Sequence, residues 1–351
     1  MSFKRMFYSV ETHSGEPMRV VTGGVPHIPG NTVYEQMRWI EKHDDQIRQL
    51  MLKEPRGYPP LCCNILVPPK DPKASAGFII MEQSEYPVMS GGNTISVATV
   101  LLETGIIPMI EPITEFILEA PAGLIGIKAT CANGKVTAVE FENVPAFAVY
   151  LDEEIEVPYI GKIKVDVAWG GMFFVIADVR QFKGLSLLPE DGREIGRIGA
   201  MVRKAAQEQL PVSHPNYPGI GITVAQLSGP SPSDDADWKN AVVNVSGEFS
   251  WDDPATWTGP LDRCPCGTGT CAKMAVLHAK GELKLNEPFR HAGILGTVYT
   301  GNLIRETKIC KFNAVVPTLS GQSWITGYST HVLDFTDPLC NGFAVGDIWG
   351  C

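Results

Sequence analysis

Two stretches decide how this chain is read: "MSGGNTISVATVLLETG" (Met89 to Gly105) and "PCGTGTCAKMAVLHAKG" (Pro265 to Gly281). Laid over each other without a gap, they put Ser90 on Cys266, Gly91 on Gly267, Thr94 on Thr270, Val100 on Val276, Leu101 on Leu277 and Gly105 on Gly281. In the same register Glu111-Pro112 falls on Glu287-Pro288, and after a short difference in spacing "AGLIG" (Ala122 to Gly126) lies on "AGILG" (Ala292 to Gly296). One shared glycine would be chance, but this ordered set implies two related halves. Both stretches are apolar nearly all round and stop at a glycine suited to a C-terminal cap, so each predicts a helix enclosed by other structure.

The remainder is strand-like. Thirty-five glycines and 27 prolines punctuate apolar runs such as "GFIIM", "GLIGIKA" and "GMFFVIAD", which predicts a strand-rich α+β protein. Two further segments, Thr32 to Leu52 and Arg193 to Leu210, have the amphipathic pattern of helices with a surface face. A chain of 351 residues suggests two domains. We place them at 1–175, carrying MSGGN, and 176–351, carrying CPCGTGT, with the C-terminal segment returning to the first half.

Bulk properties narrow the partners. The net charge of -10, from 29 Lys plus Arg against 39 Asp plus Glu, offers no basic arm for nucleic acid. The opening "MSFKRMFYSVETH" lacks an apolar h-region, and no stretch approaches the ~18 apolar residues of a membrane span. A cytoplasmic protein without a membrane partner is expected. Nine cysteines, two of them adjacent (Cys62 and Cys63), argue against a disulfide framework.

At a helix N-terminus the first N-H groups lack intrahelical partners and the macrodipole leaves partial positive charge. Such a mouth suits a carboxylate or phosphate, and the glycines at 91, 92, 267 and 269 allow close approach. The same field is expected to move Cys266 below the usual thiol pKa of about 8.5 and make it a base, whereas the hydroxyl of Ser90 is a weaker acid and better at giving a proton. If the halves pack about an approximate two-fold axis, with the active site in the cleft between them, Ser90 and Cys266 could act on opposite faces of an α-carbon. Asp262, four residues before Cys266, would receive the ammonium group. The plainer readings are Ser90 as an N-cap, Cys266 as a small buried hydrophobe, and Asp262 as a turn residue or surface ion pair beside Arg263.

Other chemistries fit less well. Cys264, Cys266 and Cys271 have C-x-C-x4-C spacing without the paired knuckles of a zinc site. No local motif marks a histidine as partner to a nucleophilic cysteine. "CGTGT" lacks the lysine of a P-loop, and no dinucleotide fingerprint follows a strand. No cofactor is expected.

"DRCPCGTGTCAKMA" and "MSGGN" resemble the two catalytic signatures of the proline racemase superfamily, which includes 4-hydroxyproline 2-epimerases and trans-3-hydroxy-L-proline dehydratases. "THSGEPMRVVTGG", "EPRG" (Glu54 to Gly57), His214-Pro215 and "GYSTHVLDFTDP" follow in the family's order. The resemblance implies two α/β halves of the diaminopimelate-epimerase type and catalysis without a cofactor. It implies that Ser90 and Cys266 are the opposed pair, that amides at Gly91, Gly92, Gly267 and Thr268 hold the substrate carboxylate, that Asp262 holds the ring nitrogen, and that His214 lines the pocket. Two departures matter. The family's first cysteine is serine here, and the histidine common two positions later is Gly92. Dehydratases of the family keep the first cysteine and carry threonine at the second, the reverse of this chain. A Ser/Cys pair goes with epimerisation of 4-hydroxyproline, sometimes with 3-hydroxyproline dehydration beside it, and Gly92 leaves room for a hydroxylated ring. The expectation is therefore a 4-hydroxyproline 2-epimerase acting on a small imino acid. The alternatives are a trans-3-hydroxy-L-proline dehydratase, a proline racemase or a non-catalytic imino-acid-binding relative, and a homodimer is the assembly to look for.

Overall fold

The structure, a computed structural model, describes residues 4–83, 85–244, 247–346 and 348–349. The chain opens with strands β1 (Lys4–His13) and β2 (Pro17–Gly23), helices α1 (Val33–His43) and α2 (Gln46–Leu52), and strands β3 (Cys62–Val67) and β4 (Ala76–Met81). Helix α3 (Gly91–Glu103) follows, then β5 (Ile113–Ala120), β6 (Gly123–Ala132) and β7 (Lys135–Glu142). A second series starts with β8 (Phe147–Val157), β9 (Gly161–Trp169) and β10 (Phe173–Asp178), and continues through α4 (Gly192–Gln209), β11 (Ile222–Pro230) and β12 (Trp238–Asn244). It ends with α5 (Gly267–Ala279), β13 (Phe289–Ala292), β14 (Val298–Ile309) and β15 (Phe312–Gly321), and the last strand is β16 (Trp324–Asp334). The protein is α+β and strand-rich.

The described residues gather into two compact units, one running to Glu142 and joined by Ser320–Trp349, the other Asn143–Leu319. In the first the strand order is β16-β1-β2-β3-β4-β5-β6-β7; in the second it is β8-β9-β10-β11-β12-β13-β14-β15. The first six pairings of each order match in sense. Within each order the third and fourth strands are parallel (β2/β3, β10/β11), as are the fifth and sixth (β4/β5, β12/β13). The first two pairs of each are antiparallel.

Parallel neighbours cannot be joined by a tight hairpin and need a crossover. In each unit one crossover carries amphipathic helix (α1 with α2, or α4), and the other carries the apolar helix, α3 or α5. Residues 91–102 of α3 and 267–277 of α5 are all buried, which the absence of a polar face demands. Helix α3 packs on β1, β2, β3, β7 and β16, and α5 on β8, β9, β10 and β14. Each ends as its glycine predicts, with Gly105 at φ 74° and Gly281 at φ 76°.

Two boundaries differ from expectation. The passage between units lies at 142/143, because a break at 175/176 would cut β10 in half and separate β8 and β9 from the sheet they begin. Strand β16 supplies the corresponding first strand of the other unit by pairing with β1. The predicted helix over Thr32 to Leu52 is broken at Asp44 and Asp45. Asp44 adopts φ -145°, and Asp45 turns its carboxylate to Arg48, Gln49 and Tyr86. Short acidic side chains compete for local hydrogen bonds in this way.

Candidate active site: two helix mouths

Cys266 is the N-cap of α5 and sits at φ 58°, ψ 109°, a conformation that costs a non-glycine residue about 1–3 kcal/mol and persists only where its surroundings impose it. They do so here. The Pro265 carbonyl accepts from Asn240 Nδ2 (2.8 Å) and Thr270 Oγ1 (3.2 Å), the Cys266 carbonyl accepts from the Thr270 amide (2.8 Å), and the Cys266 amide donates to Cys264 Sγ (3.4 Å). Thr270 Oγ1 is also 2.9 Å from His291 Nδ1. Burial pushes that imidazole down to about 3 and keeps it neutral. The thiol packs against a core cluster containing Phe174, Ala272 and Val276, and Cys266 as a whole residue is part-buried.

Gly269 closes the underside of this mouth. A Cβ there would lie 2.5 Å from Gln226 Oε1 and 3.2 Å from both Cys266 Sγ and Phe174, so any side chain would have to push these groups aside, and the Gly269 N-H can reach the sulfur. Gly170, just past β9, is equally tight: a Cβ would meet the Thr268 carbonyl at 2.1 Å. By helix geometry the Gly267 and Thr268 amides have no intrahelical acceptor.

Asp262 stands beside the thiol. Its carboxylate hydrogen-bonds Cys266 and accepts from Asn244 Nδ2 at 2.5 Å. Burial raises it to about 6, against the lowering effect of these hydrogen bonds and of Arg263. The thiol itself goes the opposite way from the expectation of a lowered value. Burial pushes it well above its ordinary range, the charges of Asp262 and Cys264 add to this, and only the Gly269 N-H opposes them. A half-charge at a helix end does not outweigh desolvation plus a full negative neighbour.

The mouth of α3 is built differently. Ser90 is the N-cap in relaxed extended geometry (φ -150°, ψ 123°), but its hydroxyl caps no amide. Its oxygen accepts from Asn93 Nδ2 at 2.8 Å. Asn93 Oδ1 in turn accepts from Asn64 Nδ2 on β3 at 2.6 Å. Thr94 anchors the turn through its amide and hydroxyl, both donating to the Ser90 carbonyl, while Gly91 and Gly92 begin the helix.

Within the second unit Asp262, Cys266, Gly267 and Thr268 are therefore adjacent, and within the first Ser90, Gly91 and Gly92 are. His214 has an aromatic setting. It is buried among Phe147, Trp169, Phe173 and Tyr217, with ring centroids 4.3 to 6.3 Å away, accepts at Nδ1 from the Asn216 amide (3.1 Å), and is pushed down to about 4 by burial. Sequence reasoning passed over Asn64, Asn93, Gln226 and Asn244. The one available signal was the mismatch of Asn93 with Gly269 inside an otherwise matching repeat.

No disulfide joins the eight described cysteines, and among the described residues no three His, Cys, Asp or Glu side chains are grouped to hold a metal ion. No described helix is long and apolar enough to cross a membrane. Residues 9–344 match the family described as Proline racemase.

The chain belongs to the proline racemase family.

It is 37% identical over 345 residues to the proline racemase of Clostridioides difficile, covering 98% of this chain and 99% of that one. The crystal structure of a hydroxyproline epimerase from Agrobacterium vitis, with trans-4-hydroxy-L-proline bound, superposes with a TM-score of 0.90 at 36% identity, covering 100% of this chain and 98% of that one. A phenazine biosynthesis protein of the PhzF family from Bacillus anthracis shares the fold alone, at 10% identity and a TM-score of 0.54 over 93% of this chain and 99% of that one. Membership makes this chain an isomerase of the racemase and epimerase kind.

Proposed function

We propose that this proline racemase family member is a cofactor-independent 2-epimerase converting trans-4-hydroxy-L-proline to cis-4-hydroxy-D-proline. The observation that carries the reading is the pair of matched helix mouths, one presenting the thiol of Cys266 and the other the hydroxyl of Ser90. Cys266 takes the α-proton from one face of the substrate, and Ser90 delivers a proton to the other. The amides of Gly91, Gly92, Gly267 and Thr268 receive the carboxylate, where helix-end dipoles favour negative charge. Asp262 receives the ring nitrogen. A cationic nitrogen against Asp262 offsets the charge that holds the thiol protonated, so arrival of substrate is what makes Cys266 a base. His214 contributes as a neutral packing group, a role its aromatic surroundings support. The Agrobacterium vitis epimerase, which binds trans-4-hydroxy-L-proline, supports a hydroxylated ring as substrate, as does the absence of a side chain at Gly92.

The asymmetry of the pair favours one second reading. A good base with a weak acid also suits removal of the α-proton from trans-3-hydroxy-L-proline with loss of the 3-hydroxyl as water. Proton NMR of proline, 3-hydroxyproline and 4-hydroxyproline isomers in deuterium oxide tests both readings. Deuterium at the α-carbon together with the opposite configuration of 4-hydroxyproline supports epimerisation. A cyclic imine or keto acid from the 3-hydroxy isomer supports elimination. Absence of α-exchange in every isomer overturns both.

A further inference from the structure

Resting on the epimerase reading, we propose that Asn93, braced by Asn64, is the positioning residue that makes the Ser90 hydroxyl a proton donor. A hydroxyl has one hydrogen and two lone pairs. Asn93 Nδ2, 2.8 Å away, occupies a lone pair, so the Ser90 hydrogen cannot be spent on Asn93 and is left for another acceptor. The orientation of Asn93 is fixed by its own partner. Its Oδ1 accepts from Asn64 Nδ2 at 2.6 Å, and turning the amide over would set two NH2 groups face to face. Asn64 is held in turn by its contact with the Arg19 carbonyl (3.5 Å). Both asparagines are fully buried, so the bond between them does not compete with water, while Ser90 is only part-buried.

The arrangement matters most after the proton has left. Cys266 thiolate takes the α-proton and becomes a thiol. The electron pair left on the α-carbon takes the hydrogen of Ser90, whose oxygen keeps the bonding pair as an alkoxide. Asn93 Nδ2-H already points at that oxygen and becomes a charge-assisted donor without moving. Water then returns a proton to Ser90, and Cys266 loses its own to solvent. An alkoxide needs this help far more than a thiolate does. The matching position beside Cys266 shows the contrast: it is Gly269, which offers the sulfur only a backbone N-H, and the side chain of Gln226 reaches up to where its Cβ would be.

The test is a double-mutant cycle. Asn93→Asp keeps the size of the side chain and an acceptor for Asn64, but replaces the donor to Ser90 by an acceptor. Losing a charge-assisted hydrogen bond corresponds to roughly 10- to 100-fold in rate. We expect kcat for epimerisation to fall by about that factor, KM to stay within about threefold, and exchange of the α-hydrogen on the Cys266 face to persist. In a Ser90→Cys background, where the thiol stabilises its own anion, Asn93→Asp should cost less than about threefold. Asn64→Asp provides a second route, because its carboxylate would capture Asn93 Nδ2 and turn Oδ1 toward Ser90, giving the same split. Equal loss of exchange and epimerisation, or the same penalty with Ser90 and with Cys at position 90, overturns the proposal while leaving the epimerase reading intact. Absence of exchange by the unaltered enzyme overturns that reading itself, and this proposal with it.

Discussion

Gly269→Ala adds one methyl group at the floor of the thiol mouth. The new carbon would sit 2.5 Å from Gln226 Oε1, about 1 Å inside ordinary contact, and 3.2 Å from Cys266 Sγ and Phe174. Gln226 and Phe174 are fully buried, so neither can retreat into solvent. Overpacking of this size costs about 1–3 kcal/mol, partly offset by about 1 kcal/mol from replacing glycine inside a helix. The net loss is about 0–2 kcal/mol, or at most several degrees in Tm at roughly 2–4 °C per kcal/mol. The effect on turnover is larger, because the sulfur gives way as well, and a displacement of about 1 Å can cost on the order of 100-fold. We expect Gly269→Ala to melt close to the parent while α-exchange and epimerisation both fall about 100-fold. Gly126→Ala is the control: it lies in β6 with nothing within 4 Å, and should change neither measurement. Thermal melts and NMR exchange rates on both variants decide the matter. A Gly269→Ala enzyme working within twofold of the parent would refute the claim that this contact positions the thiol.

Three further outcomes follow from named groups. Because burial raises Asp262 to about 6 and, on the proposed reading, its charged form receives the ring nitrogen, kcat/KM should decline as pH falls through about 6, and Asp262→Asn should remove that limb along with most of the affinity. Because Asp262 helps hold the Cys266 thiol protonated, Asp262→Asn should also speed alkylation of Cys266 by iodoacetamide at pH 7 to 8 in the absence of substrate; an unchanged rate would argue against their contact. Burial alone would raise Glu11, but the hydrogen bond from His331, the charge of Arg19 and the Ser9 hydroxyl lower it from 4.5 to about 2. That contributes about 3 kcal/mol, present above pH 4.5 and lost as pH falls from there through about 2, so urea titration should show Glu11→Gln much less stable than the parent at pH 7 and nearly equal to it at pH 2.

The repeat was legible because both central helices need the same things: small residues in the first turn, apolar side chains on every face, and a left-handed glycine at the end. Those are local demands, and they leave the same letters in both halves. The return of the C-terminal segment to the first half was legible and is met by the pairing of β16 with β1, but the unit boundary was less so, since β8 and β9 read as strands whichever sheet they join. Asn64 was invisible for a related reason. It lies 29 residues from Asn93 in an apolar strand, and nothing in "CCNILV" says that its amide will meet another beneath a helix mouth. The raised thiol was missed because helix fields can be read from sequence, while desolvation and the approach of Asp262 depend on packing.

The two mouths also suggest why serine can stand at one of them and cysteine at the other. A helix end supplies a fixed and limited positive field. A thiol is the stronger acid of the two, and at its mouth that field and the Gly269 N-H need only the cationic nitrogen of a substrate beside Asp262 to hold the thiolate, with glycine at position 269. A hydroxyl is a much weaker acid, so the same field leaves it short, and a further donor has to come from a side chain. Position 93 is where the backbone allows one, because the third residue of the first turn faces back toward the N-cap side chain. A hydroxyl at 90 without an amide at 93 would then be a poor acid, and an asparagine at 269 would collide with Gln226 and the sulfur. The pairing of Ser90 with Asn93 and of Cys266 with Gly269 is thus a matched choice at each mouth, and exchanging Asn93 and Gly269 between mouths should impair both proton transfers at once.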